Sequence, residues 1–197
     1  MAFLLGPNEV LFRLLNLAGV NPALDVLGVG LTTIGDVYVL ALLAVPLYAR
    51  GHKEAAADVL AAILVTLVAT EILRYLIGLP RPCQALPDVR LVAFVGCPED
   101  PAFPSGHASR AFGVATVLAS RFPRRYGAAA LAVAALIALS RVYLGVHWPL
   151  DVFAGGLLGI ALGALLEAVS RRSVWYRAGR RRAIALVDRL GARVRGA

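Results

Sequence analysis

Five apolar stretches, at roughly 36–49, 55–77, 107–120, 127–146 and 150–169, dictate what this chain can fold into. Each approaches the length of helix that crosses a hydrocarbon core of ~30 Å. Lipid offers a backbone no water, so such stretches satisfy their N–H and C=O groups inside helices. Only 16% of the residues are charged and the mean hydropathy is +0.75, values that exclude a soluble domain of 197 residues. The expected fold is all-α: an integral membrane helical bundle of about five to six transmembrane helices. Residues 1–170 are expected to form the membrane-embedded domain and 171–197 a basic amphipathic tail. Residues 1–20 are expected to hold an N-terminal interfacial helix, since Glu9 and Arg13 lie four apart among leucines. As one helix, residues 22–49 would be about 42 Å long at ~1.5 Å per residue, more than the membrane requires, so a break is expected at Gly35-Asp36.

Basic residues orient the bundle. Arg50 and Lys53 follow the first stretch, Arg121, Arg124 and Arg125 the third, and the arginines from Arg171 to Arg195 the fifth. All fall on one side, which the positive-inside rule makes cytoplasmic. The 80–104 loop and the 145–150 connection then face outward, in a multi-pass protein of the cell membrane. A net charge of +8 and a pI near 10.3 would suit a nucleic-acid binder, but these arginines flank membrane segments, so the expected partner is the bilayer and not nucleic acid. Within the tail, Ile184, Val187, Leu190 and Val194 recur at helical spacing, as in a helix lying on anionic lipid. Cys83 and Cys97 share the outer loop, where a disulfide persists, and a bridge between them is expected.

Three clusters carry chemistry. The segment Ser140-Arg-Val-Tyr-Leu-Gly-Val-His-Trp-Pro-Leu-Asp151 sets an arginine, a histidine and an aspartate in an apolar chain, where each is costly and function is the default reading. Pro149 suits a first helical turn, which puts His147 at the helix mouth and Asp151 one turn below, spaced so that a carboxylate can hold an imidazole. A capped helix with an incidental histidine would fit this segment taken alone. In Phe103-Pro-Ser-Gly-His107, Ser105 can cap a helix whose first N–H groups, from Gly106 on, make an anion site; Pro-Ser-Gly is also ordinary turn chemistry. In Arg74-Tyr-Leu-Ile-Gly-Leu-Pro-Arg81-Pro82, two arginines flank a helix end, as snorkelling arginines also do, and Glu71 can orient Arg74 or simply neutralise it. Together, three helix ends on one face deliver Arg74, Arg81 and Arg141, the Ser105-Gly106 cap, His107, His147 and Asp151. Guanidinium forks match phosphate oxygens, and two histidines with a carboxylate supply a nucleophile, its orienter and a proton donor.

These clusters resemble the signature of the type-2 phosphatidate phosphatase (lipid phosphate phosphatase) superfamily. That signature is a lysine, six residues and Arg-Pro; then Pro-Ser-Gly-His; then Ser-Arg, five residues, His, three residues and Asp. Here it is met by Arg74 to Pro82, Pro104 to His107 and Ser140 to Asp151, in order and with matching spacing; the one departure is Arg74 in place of the lysine. That change keeps the charge and alters the hydrogen-bond geometry. The short chain and its N-terminal segment are similar to the bacterial polyprenyl-diphosphate phosphatase branch.

The resemblance implies a membrane phosphatase that removes the terminal phosphate of a lipid. His147 is the implied nucleophile, forming a phosphohistidine; Asp151 orients it and His107 protonates the leaving oxygen. Arg74, Arg81, Arg141, Ser105 and Gly106 bind the phosphate, without metal or other cofactor. An isoprenoid diphosphate such as undecaprenyl diphosphate is the first expectation for the substrate, with phosphatidate or phosphatidylglycerol phosphate next. A vanadium-dependent haloperoxidase shares the motifs, but those enzymes are longer and soluble. A non-catalytic lipid-phosphate binder or transporter would use the same arginines with no need of His147 and Asp151.

Overall fold

The computed structural model describes residues 2–17, 19–92 and 95–195, with side chains for the described residues from 6 to 193. Met1 and Ala18 of the expected interfacial helix, and the Val194 side chain of the expected tail stripe, lie outside the described residues. Helix α1 (Ala2–Leu17) meets α2 (Pro22–Ile34) at 116°. Asn21 caps α2 by accepting from the Leu24 N–H at 2.9 Å, with Pro22 in the first turn. The break expected at Gly35-Asp36 is present: Gly35 ends α2, and Asp36 Oδ1 accepts from the Tyr38 N–H at 2.8 Å to start α3 (Val37–Leu42). A second break at Leu43 separates α3 from α4 (Ala44–Ala49), because Pro46 has no N–H to offer the Leu42 carbonyl and its ring crowds it.

Helix α5 (Lys53–Ile77) runs 25 residues and stops at Gly78, whose left-handed conformation (φ +65°) turns its N–H back onto the Arg74 carbonyl at 2.9 Å. The short α6 (Pro82–Ala85) opens the long loop, which Cys83 and Cys97 close through a disulfide with their Cα atoms 5.9 Å apart. Then follow α7 (Gly106–Arg121), α8 (Arg124–Tyr143), α9 (Pro149–Arg172) and α10 (Val174–Arg195). The protein is thus an all-helical membrane bundle. Among the described residues, α5, α8 and α9 lie in the three stretches long and apolar enough to cross a membrane by length and composition, and the bent α1–α2 pair makes a fourth if it counts as one span. The α3–α4 segment is apolar but shorter. At 16 residues and with several polar groups, α7 falls outside that set; its main neighbours are α5, α8 and α9, so its polar groups meet protein.

The closest approach in the bundle is between α7 and α9. Gly155, Gly159 and Gly163 form a stripe at four-residue spacing on α9. A Cβ at Gly155 would stand 2.5 Å from the Ser105 carbonyl oxygen, one at Gly163 would stand 2.8 Å from that of Gly113, and one at Gly159 would strike the Ser109 carbonyl. Small residues let helix backbones touch in this way where apolar surface alone gives no preference for protein over lipid. Helix α7 meets α5 through Gly113 packed on Thr66 and through a 2.7 Å hydrogen bond between Thr70 and Ser109.

At the end where α5 begins and α7 and α9 finish, Asp58 is fully buried. It accepts hydrogen bonds from Arg121, from Arg180 at 2.6 Å, from Ser170 and, through Oδ1, from Tyr176 at 2.6 Å. Arg121 also donates to Glu167 at 2.6 Å, and Arg180 to Glu54 at 2.6 Å. Tyr176 and Arg180 belong to α10, so the basic tail is fastened to the bundle rather than standing apart from it. Farther along, Asp188 accepts from Lys53 and from Tyr48, each at 2.6 Å, and beside this pair Ile184 and Val187 line an apolar groove against α4 and α5. Removing one member of such a buried ionic cluster leaves the others uncompensated, at a cost of about 3 kcal/mol or more. Asp58→Ala is therefore expected to lower the unfolding temperature in detergent and to speed tryptic cleavage at Arg181 and Arg182. An unchanged melting curve and digestion rate would show that the cluster does not hold α10.

Candidate active site

The site lies at the opposite end, where α5 finishes, α7 begins, α8 finishes and α9 begins. Trp148 and Pro149 start α9, and Asp151, in its first turn, accepts the Trp148 N–H through Oδ2 at 2.8 Å, as an acidic residue at a helix start should. The same oxygen lies 3.2 Å from His147 Nδ1, and both side chains are buried, at 1% exposure each. On the other side of the ring, His147 Nε2 is 3.1 Å from Arg81 Nη1. A guanidinium has only donors, so Nε2 accepts, and the ring proton sits on Nδ1, facing the carboxylate. His147 therefore presents a lone pair at Nε2 from a fixed tautomer.

Arg81 is itself locked. Its Nη1 also donates to the Val146 carbonyl at 2.8 Å, its Nε donates to the Asp100 carbonyl at 2.8 Å, and its Nη2 pairs with Asp100 Oδ2 at 3.0 Å. Arg74 Nη1 bonds the same Asp100 oxygen and Glu71 at 3.0 Å. The two arginines that sequence places around a helix end thus converge on one point, and Asp100 is that point. No sequence signal marked it, being one acid in an irregular loop.

The Pro-Ser-Gly-His turn is bound to this assembly by backbone: the Ser105 N–H donates to the Asp151 carbonyl at 3.0 Å. Ser105 occupies the N-cap of α7, but its hydroxyl does not cap; it is fully buried and has no hydrogen-bond partner among the described residues. The expected cap bond is therefore corrected: the extended backbone starts the helix, and the hydroxyl is left over for something else. A Cβ added to Gly106 would stand 3.0 Å from Arg74 Nη2 and 2.9 Å from Arg110 Nη1, so glycine admits both guanidiniums to the helix start. His107 faces the break between α2 and α3, where a Cβ on Gly35 would lie 3.1 Å from its ring. Arg141, from the last turn of α8, donates to Thr32 of α2 and keeps a buried Nε unbonded. Every residue expected from the three clusters is at this end, and Arg110 joins them. Arg110 was overlooked, although an arginine inside an apolar helix, four residues after Gly106, is a signal in its own right.

Around the site, Phe12 of α1 packs on Trp148 with ring centroids 5.3 Å apart and the planes tilted by 59°, and Trp148 Nε1 donates to the Pro80 carbonyl at 2.9 Å. Asn16, buried, joins α1 to the loop and to α8 through the Arg90 and Tyr143 carbonyls at 2.9 and 2.8 Å. Trp148, the residue that follows His147, is thus wedged between α1 and the loop at the start of α9.

Residues 55–175 match the model of the PAP2 superfamily. The chain belongs to that superfamily. It is 32% identical over 156 residues to an undecaprenyl-diphosphatase of Sulfolobus acidocaldarius, covering 79% of this chain and 74% of the relative. The crystal structure of Aquifex aeolicus LpxE superposes with a TM-score of 0.74 at 36% identity, covering 83% of this chain and 96% of that one. The PAP2-type phosphatidylglycerolphosphate phosphatase of Bacillus subtilis superposes with the same score at 24% identity, covering 88% of this chain and 89% of that one, and shares the fold. The PAP2 protein described here is a multi-pass membrane phosphatase.

Burial, then the positive charges of Arg81 and Arg141, holds the His147 imidazole well below the ordinary histidine range. The folded state therefore favours the neutral ring; its stability contribution is intact above about pH 6.5, where the unfolded histidine is also neutral, and is lost as pH falls below that value and the unfolded chain takes up the proton. In a histidine-labelled NMR titration in micelles, the His147 signal is expected to titrate below pH 6.5, and Arg81→Gln is expected to move its midpoint upward by removing a positive neighbour. A midpoint at or above 6.5 in the unmodified protein would contradict the neutral tautomer.

Proposed function

We propose that this protein is a lipid phosphatase that hydrolyses the terminal phosphate of an isoprenoid diphosphate through a phosphohistidine on His147. The observation that carries the reading is the fixed lone pair of His147 Nε2, backed by Asp151 and placed beside Arg81. In the first step the Arg81 Nη1 donor turns from Nε2 to a phosphate oxygen of the substrate, the freed Nε2 lone pair attacks the terminal phosphorus in line, the Nε2–P bond forms and the bond from phosphorus to the bridging oxygen breaks. His107 gives its proton to that oxygen, and the lipid leaves with one phosphate fewer. Asp151 stabilises the positive charge that the phosphorylated ring acquires, the role a carboxylate plays behind a catalytic histidine. In the second step water attacks phosphorus, His107 takes its proton, and phosphate departs from Nε2. The charge of the transition state lies on the equatorial oxygens, which Arg74, Arg81, Arg141, the Ser105 hydroxyl and the Gly106 N–H are positioned to receive. The unbonded Ser105 Oγ and Arg141 Nε fit that role, since buried polar groups without partners are costly unless a ligand completes them.

The substrate class is supported by the Sulfolobus acidocaldarius relative, whose name gives undecaprenyl diphosphate as its substrate. A membrane-embedded fold with the site at one end of the bundle suits an amphiphile whose tail stays in the bilayer. The basic residues near Asp58 and along α10 support a cytoplasmic position for that end and an extracytoplasmic one for the site. On this reading residues 1–170 form the catalytic domain and α10 is a cytoplasmic anchor on anionic lipid.

Phosphate release from a panel of lipid phosphates tests the function: isoprenoid diphosphate is expected to be turned over faster than phosphatidate or phosphatidylglycerol phosphate, and to remain so in excess chelator. Activity that vanishes with chelator and returns only with a divalent ion would overturn the mechanism.

The two histidines separate by leaving group. His147→Ala is expected to abolish the phosphoenzyme and turnover of every substrate. His107→Ala is expected to lose about 10²–10⁴-fold on the lipid, the usual contribution of a general acid, and much less on an aryl phosphate whose leaving group needs no proton. Rescue of His147→Ala by the activated substrate would reverse the assignment.

A further inference from the structure

Arg110 is not explained by the chemistry above. It is 7% exposed, within a helix surrounded by other helices, and its Nε has no partner among the described residues. An arginine keeps its charge at any accessible pH, so a buried guanidinium requires an anion. Among the described residues no carboxylate forms an ion pair with it: the nearby Asp36 caps α3 through Tyr38, and Glu71 bonds Arg74. Four residues after Gly106, its side chain leans back toward the start of α7, as long helical side chains do. Its Nη1 comes within 2.9 Å of where a Gly106 Cβ would be, beside Arg74 Nη2 at 3.0 Å. Two guanidinium edges and a helix N-terminus thus meet at one place, and one of the two arginines has no direct ion pair among the described residues.

The place is off-centre. Arg81 touches the nucleophile, whereas Arg110 follows His107, the proposed acid, by three residues on α7, so that the two lie on one face of that helix. Arg110 therefore stands on the side of the leaving group. In-line displacement puts the leaving group opposite the nucleophile, and when the substrate is a diphosphate that group is itself a phosphate.

We propose that Arg110, adjoining Arg74 at the start of α7, supplies a second anion subsite that holds the lipid-proximal phosphate of a diphosphate substrate while the terminal phosphate, bound by Arg74 and its neighbours, is transferred to His147. The proposal rests on the lipid phosphatase reading and sharpens it: the site selects diphosphates over monophosphates because one arginine more than a single phosphate needs is buried beside its leaving-group side. Neutralising the developing charge on the departing phosphate also lowers the barrier to bond breaking.

The test compares farnesyl diphosphate and farnesyl monophosphate as paired substrates, identical in tail, for the full-length protein and its Arg110→Gln variant. The quantity read is the ratio of kcat/KM for the diphosphate to that for the monophosphate. Loss of a charge-assisted contact is expected to lower this ratio about 10- to 100-fold. A ratio that stays within about twofold of the unmodified protein's would overturn the subsite, whether both rates fall together or neither falls. If Arg110→Gln does not fold, as read from its melting temperature, Arg110→Lys is measured in its place; it keeps the charge but loses the fork, and a ratio lowered by severalfold supports the proposal where an unchanged one overturns it. An unmodified protein that hydrolyses neither substrate fails differently, for then the lipid phosphatase reading itself is lost.

Discussion

Contact between the backbones of α7 and α9 is the constraint on which the rest of the structure depends. Because Gly155, Gly159 and Gly163 carry no side chain, α9 lies against the carbonyls of Ser105, Ser109 and Gly113. That proximity is what lets the Ser105 N–H reach the Asp151 carbonyl, and so locks the turn bearing His107 to the helix start bearing His147 and Asp151. A larger residue at any of the three positions would push the two helices apart, separating the two histidine-bearing turns before it touched either histidine. The reactive geometry is thus fixed by packing far below it in the bundle.

The two ends of the bundle treat charge in opposite ways. Around Asp58 the acids and arginines nearly balance, with Asp58, Glu54 and Glu167 set against Arg121 and Arg180, and among the described residues Arg180 Nε is the buried side-chain atom of this group left unbonded. At the other end four arginines, Arg74, Arg81, Arg110 and Arg141, share direct ion pairs with Glu71 and Asp100 alone, and among the described residues Arg74, Arg110, Arg141 and Ser105 each keep an unbonded buried atom. The first cluster, with most of its donors and acceptors paired across helices, holds α10 to the bundle. The second leaves several donors for a ligand carrying negative charge, as the proposed function requires.

Much of this was legible in the sequence because it depends on short-range rules. The start of α9 follows from Pro149, the end of α5 from Gly78, and the break between α2 and α3 from the length a single helix would have had. The three clusters were recognisable because residue type and spacing alone put an arginine, a histidine and a carboxylate at helix ends. What escaped depends on contacts between distant segments. Asp100 matters because the loop folds it onto Arg74 and Arg81, and nothing local distinguishes it from Glu99 beside it. Arg180 is one of many tail arginines until α10 docks and buries it. The glycine stripe of α9 is plain in the sequence, but its meaning needs the carbonyls of α7. The hydroxyl of Ser105 was misassigned because a serine at a helix start is normally a cap, and only the geometry shows it turned away.

The disulfide changes what kind of contact the Arg81–Asp100 pair is. Along the chain these residues are 19 positions apart, a separation at which two side chains meet only if the intervening loop happens to be compact. The bridge between Cys83 and Cys97, two residues after the arginine and three before the aspartate, removes the intervening chain from the path between them. What remains is a ring of a few residues, and the entropy of bringing its ends together falls by about 1 kcal/mol on the logarithmic dependence of loop closure on length. In kinetic language, the bridge turns a pair of high contact order into a local one, so the arginine that touches His147 finds its carboxylate at an effective concentration set by the short ring.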